Sequence, residues 1–354
     1  MKIVFIQTYP AYHDFGDAER WLALENRDKW MPGIVKELGH EAELWCVANQ
    51  RERHEYTWKK KITFPVRTFR PDSMAGKTKK HQSHEMVQYA NTQNVDLYVL
   101  KGTDGGIGVR MLRKHILPKN IPFSFVIGGK WYSPFAHRAS SILYETEQQR
   151  QLILKKNWKF WKKTCNPEKL IHLPKSIDTE IFKPQKSAHK KYQIISMGRL
   201  IPYYKNYDAL TNLPSHLKIG FIGGGPQLES FRNKFPHIDW IGAVSNRKVP
   251  KHLSKASAFF YTGLRDHFPR VIAESAACGL PVIAFKDVIS SDTIPDSIGL
   301  RVSRTDYISE INAFCSEPER VKEKGKLARE HAISHWNKES SREAIQAMIE
   351  LARS

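Results

Sequence analysis

Residues 266–283, DHFPRVIAESAACGLPVI, decide the fold. The apolar run AFFY at residues 258–261 precedes this stretch and predicts a buried β-strand, and the run PVIAF at residues 281–285 predicts a second one. The sequence between the two runs opens a helix. Strand, helix and strand in this order predict a βαβ unit of a parallel sheet. The amides of residues 267–271, at the start of the helix, lack partners within it, which predicts an anion site.

The same alternation of short apolar runs and helix-length stretches extends along the whole chain, which has 354 residues. It predicts an α/β fold of two doubly wound, Rossmann-like domains. Further runs that predict strands lie at residues 1–7, 43–47, 95–100, 123–127, 193–197 and 217–222. The polar, proline-containing stretch 183–191 predicts a linker. We therefore expect a first domain over residues 1–185, a second over 186–335 and a closing helix over 336–354, with substrates bound in a cleft between the facing domains.

A second motif, MGRLIPYYKN at residues 197–206, also lies at a predicted strand end. Its two cations, Arg199 and Lys205, flank a turn, where arginine can bind a phosphate bidentately and lysine adds a point charge. Taken alone, the pair is better explained as an ordinary exposed Arg and Lys. In the first motif, Asp266 and Glu274 lie about two helical turns apart, which suits hydrogen bonds to two hydroxyl-bearing parts of one ligand.

Together the two motifs resemble the retaining GT-B glycosyltransferases of family 4, also called glycosyl transferases group 1. Residues 266–282 match the family's acidic residue, its Glu eight positions later and its Gly-Leu-Pro-Val, and residues 198–205 match its Gly-Arg-Leu with a following Lys. Residues 173–184, 222–226 and 240–244 add further matches in the family's order. Such an ordered set is more specific than a lone glycine motif. Asp266 stands where the family usually has Glu, which is one methylene longer.

The resemblance implies roles for these residues. Arg199 and Lys205 would neutralise the donor diphosphate, Glu274 would hydrogen-bond the donor ribose, and Asp266 would hold the donor sugar. The catalytic set implied is Asp266, Glu274, Arg199 and Lys205. The donor-binding set implied is Gly198, Arg199, Lys205, Gly223, Val244, Asp266, His267, Phe268, Pro269, Arg270 and Glu274. The resemblance also implies a nucleotide-sugar donor, with a UDP-sugar favoured, and transfer with retention of configuration. It implies no cofactor and no metal.

Candidates for the acceptor side of the site lie in the predicted first domain. His13, Asp14 and Gly16 follow the first strand, where the family often has a glycine-rich loop. Lys130 and Trp131 follow the strand at residues 123–127, at the position where family members often place a His. The turn Gly-Gly-Gly-Pro at residues 223–226 lacks the spacing of a dinucleotide fingerprint or a P-loop, so it predicts a tight turn near the nucleotide. The closing helix would cross back onto the first domain, as in relatives.

The charge of the chain is concentrated in one region. Lys and Arg number 56 against 36 Asp and Glu, a net charge of +20, and residues 51–163 contain 23 of the basic and 8 of the acidic side chains. Such an excess predicts an anionic partner. Family relatives that build envelope polysaccharide or glycolipid dock on anionic headgroups through basic first domains, so an acceptor at an anionic membrane surface is favoured. Duplex DNA with modified bases is the alternative acceptor, because phosphate neutralisation dominates DNA affinity.

The cysteines and the hydropathy of the chain indicate its cellular compartment. The four cysteines are far apart and lack metal-ligand spacing, which predicts reduced thiols in the cytoplasm. No apolar stretch is long enough to span a bilayer, so we expect a protein that is soluble or peripheral on the inner face of the membrane. Two other classes stay open. A sugar-nucleotide epimerase shares the fold, and a non-catalytic nucleic-acid-binding protein would explain the charge but neither motif.

Overall fold

The computed structural model describes residues 1–7, 21–22, 27–59, 61–76, 80–101, 106–128, 133–155, 165–185, 189–201, 207–264 and 266–353. The chain divides into two compact units. The first comprises Met1–Pro174 with Ser341–Ser354, and the second comprises Lys175–Ser340. Each unit has a central β-sheet with apolar side chains buried against it.

The first unit contains an eight-stranded sheet. Its strands are β1 (Lys2–Ile6), β2 (Glu41–Val47), β3 (Glu52–Trp58), β4 (Ile62–Phe69), β5 (Leu97–Lys101), β6 (Phe123–Val126), β7 (Ser141–Tyr144) and β8 (Leu170–His172). Their order across the sheet is β3-β4-β2-β1-β5-β6-β7-β8. All neighbours are parallel except β3 and β4, which form an antiparallel hairpin.

The second unit contains a six-stranded sheet in which every pair is parallel. Its strands are β9 (Tyr192–Met197), β10 (Ile219–Ile222), β11 (Ile238–Gly242), β12 (Ala256–Tyr261), β13 (Val282–Phe285) and β14 (Gly299–Val302). Their order is β11-β10-β9-β12-β13-β14, so the direction of winding reverses between β9 and β12. The predicted α/β fold class of doubly wound parallel sheets is therefore confirmed.

Helices connect these strands. In chain order they are α1 (Arg27–Glu37), α2 (His84–Asn91), α3 (Ile107–Met111), α4 (Glu147–Leu154), α5 (Asp208–Thr211), α6 (Leu228–Lys234), α7 (Val249–Leu253), α8 (Arg270–Ala277), α9 (Tyr307–Cys315), α10 (Pro318–His335) and α11 (Arg342–Arg353). A π-helical turn, Leu112–Ile116, continues α3. Of the helices described, none combines the length and the hydropathy that crossing a bilayer requires.

The last helix, α11, belongs to the first unit although it ends the chain. Its buried residues Ala344, Ile345, Met348 and Ile349 recur at the spacing of one helical face and pack into the core around β1 and β2. Arg342, at its start, forms an ion pair with Glu37 at the end of α1. A nonpolar face at helical spacing thus explains why the chain returns to its first sheet.

The boundary between the units lies at residues 174/175 rather than near 186, where the composition of residues 183–191 predicts a linker. Hydrogen bonds explain the difference. The N–H of Ile177 donates to the carbonyl of Trp336 over 2.8 Å, and Lys338 pairs with Asp178 at 2.6 Å. Arg329 donates to the carbonyl of Phe182 over 2.7 Å. These contacts fix residues 177–182 to the second unit and extend that unit to Ser340.

Candidate functional site

The sequence-predicted donor residues of the second unit lie at the carboxyl ends of neighbouring strands. Gly198 and Arg199 follow β9, Gly223 follows β10, Val244 follows β11, and Asp266 follows β12. Because β9 and β12 flank the reversal of strand order, the first and last of these loops lie at a topological switch point. Ligands of open α/β sheets bind in the crevice at such a point. The structure therefore brings these residues to one edge of one sheet.

The loops at this edge approach one another closely. The N–H of Gly198 donates to the carbonyl of Ile222, and the N–H of Leu200 donates to that of Gly224, each over 2.9 Å. Gly223 has a φ of +147°, and a Cβ built there would lie 1.8 Å from the carbonyl oxygen of Gly198. A side chain at residue 223 would therefore collide with backbone. The tight turn predicted at residues 223–226 has this physical reason.

Arg199 and Asp266 carry the exposed charges of this edge, whereas Glu274 is buried, with 5% of the residue exposed. The Glu274 carboxylate forms an ion pair with Arg270, with Arg270 Nε 2.8 Å from Glu274 Oε1. Burial raises the pKa of Glu274, and the positive charge of Arg270 opposes that shift. A buried carboxylate is a strong acceptor for a donated hydroxyl or N–H. Glu274 can thus bind a hydroxyl group in addition to Arg270.

The helix α8 begins later than the sequence predicts, since the predicted helix start includes the amides of residues 267–271. Its first residue is Arg270, and Pro269 is its N-cap. The amide of Ile272 already donates to the carbonyl of Pro269 over 3.0 Å. His267 and Phe268 therefore lie in the loop before the helix, so their amides do not belong to a helix terminus. The prediction of helix-start amides at residues 267–271 is wrong for these two, because Pro269 caps the helix after them.

Aromatic packing holds the loop that contains His267 and Phe268, both of which are buried. The ring of Phe268 contacts that of Trp336 edge to face, with centroids 5.1 Å apart. The Lys175 ammonium lies 5.6 Å from the Phe268 centroid on the side of the ring face. This geometry favours aromatic and cation–π attraction. Trp336, which the sequence analysis did not single out, thus positions the residues next to Asp266.

A second residue that the sequence analysis missed, Tyr207, supports the loop of Arg199. Its hydroxyl donates to the carbonyl of Arg199 over 2.5 Å and accepts from the N–H of Ile201 over 3.0 Å. The ring is buried against Phe221 and Phe231. Burial raises the pKa of Tyr207, so it keeps its hydroxyl proton at neutral pH. No spacing rule singles out this tyrosine, because its role depends on the fold of the loop.

The other predicted site residues lie outside the described part of the chain. They are Lys205 of the donor set and the acceptor candidates His13, Asp14, Gly16, Lys130 and Trp131. Their assignments stay predictions. In the described ranges, no group of three or more His, Cys, Asp or Glu side chains is placed to hold a metal ion. The donor edge there consists of glycine turns, exposed charge and one buried carboxylate.

Comparison with known proteins places this edge in a family context. The sequence model of the family described as Glycosyl transferases group 1 matches residues 177–330. The chain is similar to the GDP-mannose-dependent alpha-(1-6)-phosphatidylinositol monomannoside mannosyltransferase of Mycolicibacterium smegmatis. The two are 24% identical over 201 residues, which cover 47% of this chain and 52% of the relative. The chain thus spans about half the length of that relative.

Solved structures match over the whole chain. Sucrose-phosphate synthase from Thermosynechococcus elongatus has a TM-score of 0.74 at 15% identity, with all of both chains covered. Anabaena HepE in complex with UDP-glucose has a TM-score of 0.68 at 15% identity, with 99% of both chains covered. At this identity the likeness establishes the fold alone. The chain has the GT-B fold of two Rossmann-like units, and its second unit carries the match to the Glycosyl transferases group 1 family.

Proposed function

We propose that this protein is a hexosyltransferase that moves a sugar from a nucleoside diphosphate sugar to an acceptor at an anionic surface. One observation carries the proposal. Gly198 and Arg199, Gly223, and the segment from Asp266 to Glu274 meet at the switch-point edge of a unit whose sequence matches the Glycosyl transferases group 1 family. Neither the fold nor the motifs alone would be enough, because one fold serves many functions.

The chemistry of the proposed donor site follows from charge. The leaving group is a nucleoside diphosphate, on which negative charge develops as the glycosidic bond breaks. Arg199, together with Lys205, would stabilise that charge. Gly223 lets the turn after β10 pack directly against the backbone of Gly198, which precedes Arg199 in the chain. Asp266 would hold the sugar and Glu274 a ribose hydroxyl. Positive side chains would then serve where other transferases use a metal, so we propose a metal-independent reaction. We propose retention of configuration from the resemblance of the two motifs to the retaining family.

The relatives differ in the base of the nucleotide-sugar donor. The Anabaena structure contains UDP-glucose, whereas the mycobacterial relative is named for GDP-mannose. We propose a UDP-sugar, and the ribose and diphosphate contacts assigned to Glu274 and Arg199 are common to both donors. Activity with GDP-sugars only would change the base and leave the assignment of these two residues intact.

The acceptor is proposed from charge and from the named relative. That relative acts on a phosphatidylinositol mannoside, which is a glycolipid with a phosphate group. In the described part of residues 51–163, several arginines pair with carboxylates, among them Arg51 with Glu85 and Arg53 with Glu55. Arg113, Lys114 and Lys119 are exposed at and just beyond the π-helical turn that ends α3. We propose that these three side chains meet an anionic glycolipid surface, with the protein peripheral on the cytoplasmic side.

A product assay tests this proposal. Wild-type protein is incubated with UDP- and GDP-sugars, first alone, then with vesicles that contain phosphatidylinositol glycolipids, and then with duplex DNA, all with and without a chelator. We expect nucleoside diphosphate release and a glycosylated lipid, unaffected by the chelator. An isomerised donor formed without any acceptor would instead identify an epimerase. Glycosylated DNA would replace the proposed acceptor.

A further inference from the structure

A second basic site lies at the opposite edge of the sheet in the second unit. It is a groove of about 740 Å³, and its walls come from residues just before or at the amino ends of β9, β10, β11 and β12. This volume lies within the range of roughly 300–1,000 Å³ that is typical of small-ligand sites. The length of β9 separates the groove from Arg199 by roughly 17 Å, at about 3.3 Å per residue. The groove is thus distinct from the candidate donor site.

The charges around the groove are mainly positive. Lys190, Lys191 and Lys218 line it together with His237, and Asp239 is the carboxylate among its lining residues. Lys190, Lys191, Lys218 and His237 are all exposed. Lys190 donates to the carbonyl of Ala256 and Lys191 pairs with Asp239, so the three ammonium groups face one carboxylate between them. The groove keeps an excess of positive charge, which favours a bound anion.

The single carboxylate of the groove is already engaged. Asp239 Oδ2 accepts from Lys191 Nζ over 2.5 Å and from the hydroxyl of Tyr192 over 2.6 Å. Partial burial disfavours the ionised form of Asp239, but these two hydrogen bonds outweigh that effect and lower its pKa. Across the described ranges, Lys218 and His237 form no ion pair. Asp239 therefore does not neutralise Lys218 and His237, and these two side chains can bind another anion.

The region beside the groove adds further positive potential. His252, in α7, interacts electrostatically with Asp239 of the groove and with three lysines that precede β12. Partial burial, followed by the positive charges of Lys255, Lys251 and Lys248, lowers the pKa of His252 despite an opposing contribution from Asp239. The part of this shift that comes from the three lysines reflects a positive potential, which also favours an anion. The positive field at this edge thus comes from several elements rather than from one side chain.

We propose that this groove is a second anion site, which binds a phosphate-bearing ligand through Lys191, Lys218 and His237. Lysine donates to phosphate oxygens as a point charge, and the imidazole adds a directional N–H. The ligand is either a soluble phosphate compound or the phosphate of a lipid headgroup, and the two present the same chemistry to the groove. The inference does not rest on the proposed transferase function, because it uses none of the donor-site residues.

Isothermal titration with inorganic pyrophosphate tests the site in the full-length protein. Three proteins are compared in an Arg199→Ala background, which weakens pyrophosphate binding at the donor edge. They are the background itself, the background with Lys191→Ala and Lys218→Ala, and the background with Lys322→Ala and Lys326→Ala. The last pair removes two exposed charges from α10 of the same unit. The imidazole resonances of His237 are followed by NMR in parallel.

We expect the groove variant to bind pyrophosphate at least about tenfold more weakly, a loss of about 1.4 kcal/mol in binding free energy, because two cationic hydrogen-bond donors are removed. The control variant should bind like the background, and His237 should shift only where binding persists. Equal affinity in all three proteins, or equal loss in the control, would overturn the proposal. A Lys218→Glu variant provides a second test if Lys191→Ala impairs folding through its loss of the Asp239 contact.

Flotation with vesicles distinguishes the two phosphate sources. Loss of binding to phosphatidylserine vesicles in the groove variant, but not in the control, would support a lipid headgroup as the ligand. Weakened pyrophosphate binding with unchanged flotation would support a soluble ligand. With Arg199 intact, the groove variant should retain donor hydrolysis, so a negative result here is distinguishable from failure of the proposed function.

Discussion

Arg270 and Glu274, one turn apart in α8, form an ion pair in which the carboxylate side chain is 7% exposed and the guanidinium is 31% exposed. Burial raises the pKa of Glu274, and the positive charge and hydrogen bond of Arg270 oppose that rise. Glu274 is also the residue that we assign to the donor ribose. The same arginine would therefore favour the ionised form of the Glu274 carboxylate in the absence of the donor.

Removal of Arg270 should destabilise the protein in a pH-dependent way. A carboxyl group whose pKa is higher in the folded state makes folding less favourable as pH rises through that pKa. Arg270→Ala should raise the pKa of Glu274 further, so the loss is largest at neutral pH and shrinks below the ordinary value of 4.5. We expect a loss of about 1–3 kcal/mol near pH 7, less than for a fully buried pair. Urea unfolding at about pH 7 and pH 4 measures it.

The control for this experiment is the double variant Arg270→Ala with Glu274→Gln. It has no carboxyl group at residue 274, so its stability relative to Glu274→Gln alone should not depend on pH in this range. An equal loss for Arg270→Ala at both pH values would show that the arginine acts through packing and not through the charge of Glu274.

The backbone crossing at Gly223 should tolerate no side chain. Gly223→Ala places a Cβ against the carbonyl of Gly198 at a φ of +147°, and we expect a loss of more than about 3 kcal/mol in the free energy of unfolding. Gly224→Ala is the matched control. Its Cβ would lie 3.1 Å from that of Ala243, without a positive φ, so we expect less than about 1.5 kcal/mol. Similar losses in both variants would contradict the backbone argument.

The hydroxyl of Tyr207 should matter for donor binding. Tyr207→Phe removes the hydrogen bond to the carbonyl of Arg199 and keeps the buried ring. We expect stability to fall by about 0.5–1.5 kcal/mol and KM for the donor to rise about five- to tenfold, because the loop of Arg199 loses its support. Tyr192→Phe is the control, since that hydroxyl binds Asp239 at the opposite edge. It should reduce stability and leave KM unchanged, and a rise in KM for both would contradict this account.

The exposed basic side chains of the first unit should control attachment to anionic surfaces. The double variant Lys114→Ala with Lys119→Ala should weaken binding to phosphatidylserine vesicles about thirtyfold, at about 1 kcal/mol per lysine near the surface. The effect should decrease at high salt. Lys322→Ala with Lys326→Ala removes the same charge from the second unit and should have little effect. Equal losses would indicate that net charge, and not this surface, determines binding.

The sequence predicts the four central strands of the second sheet, β9, β10, β12 and β13, because they are almost continuously buried, but it does not predict the less buried edge strands β11 and β14. The runs at residues 258–261 and 281–285 are continuously apolar, and β12 and β13 occupy them. The hairpin of β3 and β4 was not predicted. Its strands mix Arg, Glu and Thr with apolar residues. The buried face includes Tyr56, Trp58, Phe64 and Val66.

The site was predicted less completely than the fold. Arg199 and Asp266 lie at the predicted sheet edge because each follows a predicted strand and the carboxyl ends of parallel strands share one edge, while Glu274 lies in the helix after that edge. Tyr207 and Trp336 were missed, since each acts through one contact that depends on how distant segments fold together. The unit boundary was misplaced for a similar reason, because the contact of Ile177 with Trp336 leaves no trace in composition.

The central claim is that the second unit binds a nucleoside diphosphate sugar and releases its diphosphate. The most direct measurement is NMR of nucleoside diphosphate release and of the anomeric configuration of the product, for wild type, Arg199→Ala and Lys322→Ala. We predict release with a retained configuration in wild type and Lys322→Ala. In Arg199→Ala, release should fall at least about a hundredfold, because one donor to a developing charge contributes about 2.7–4 kcal/mol. Equal release by Arg199→Ala and wild type, with the variant folded, would contradict the account.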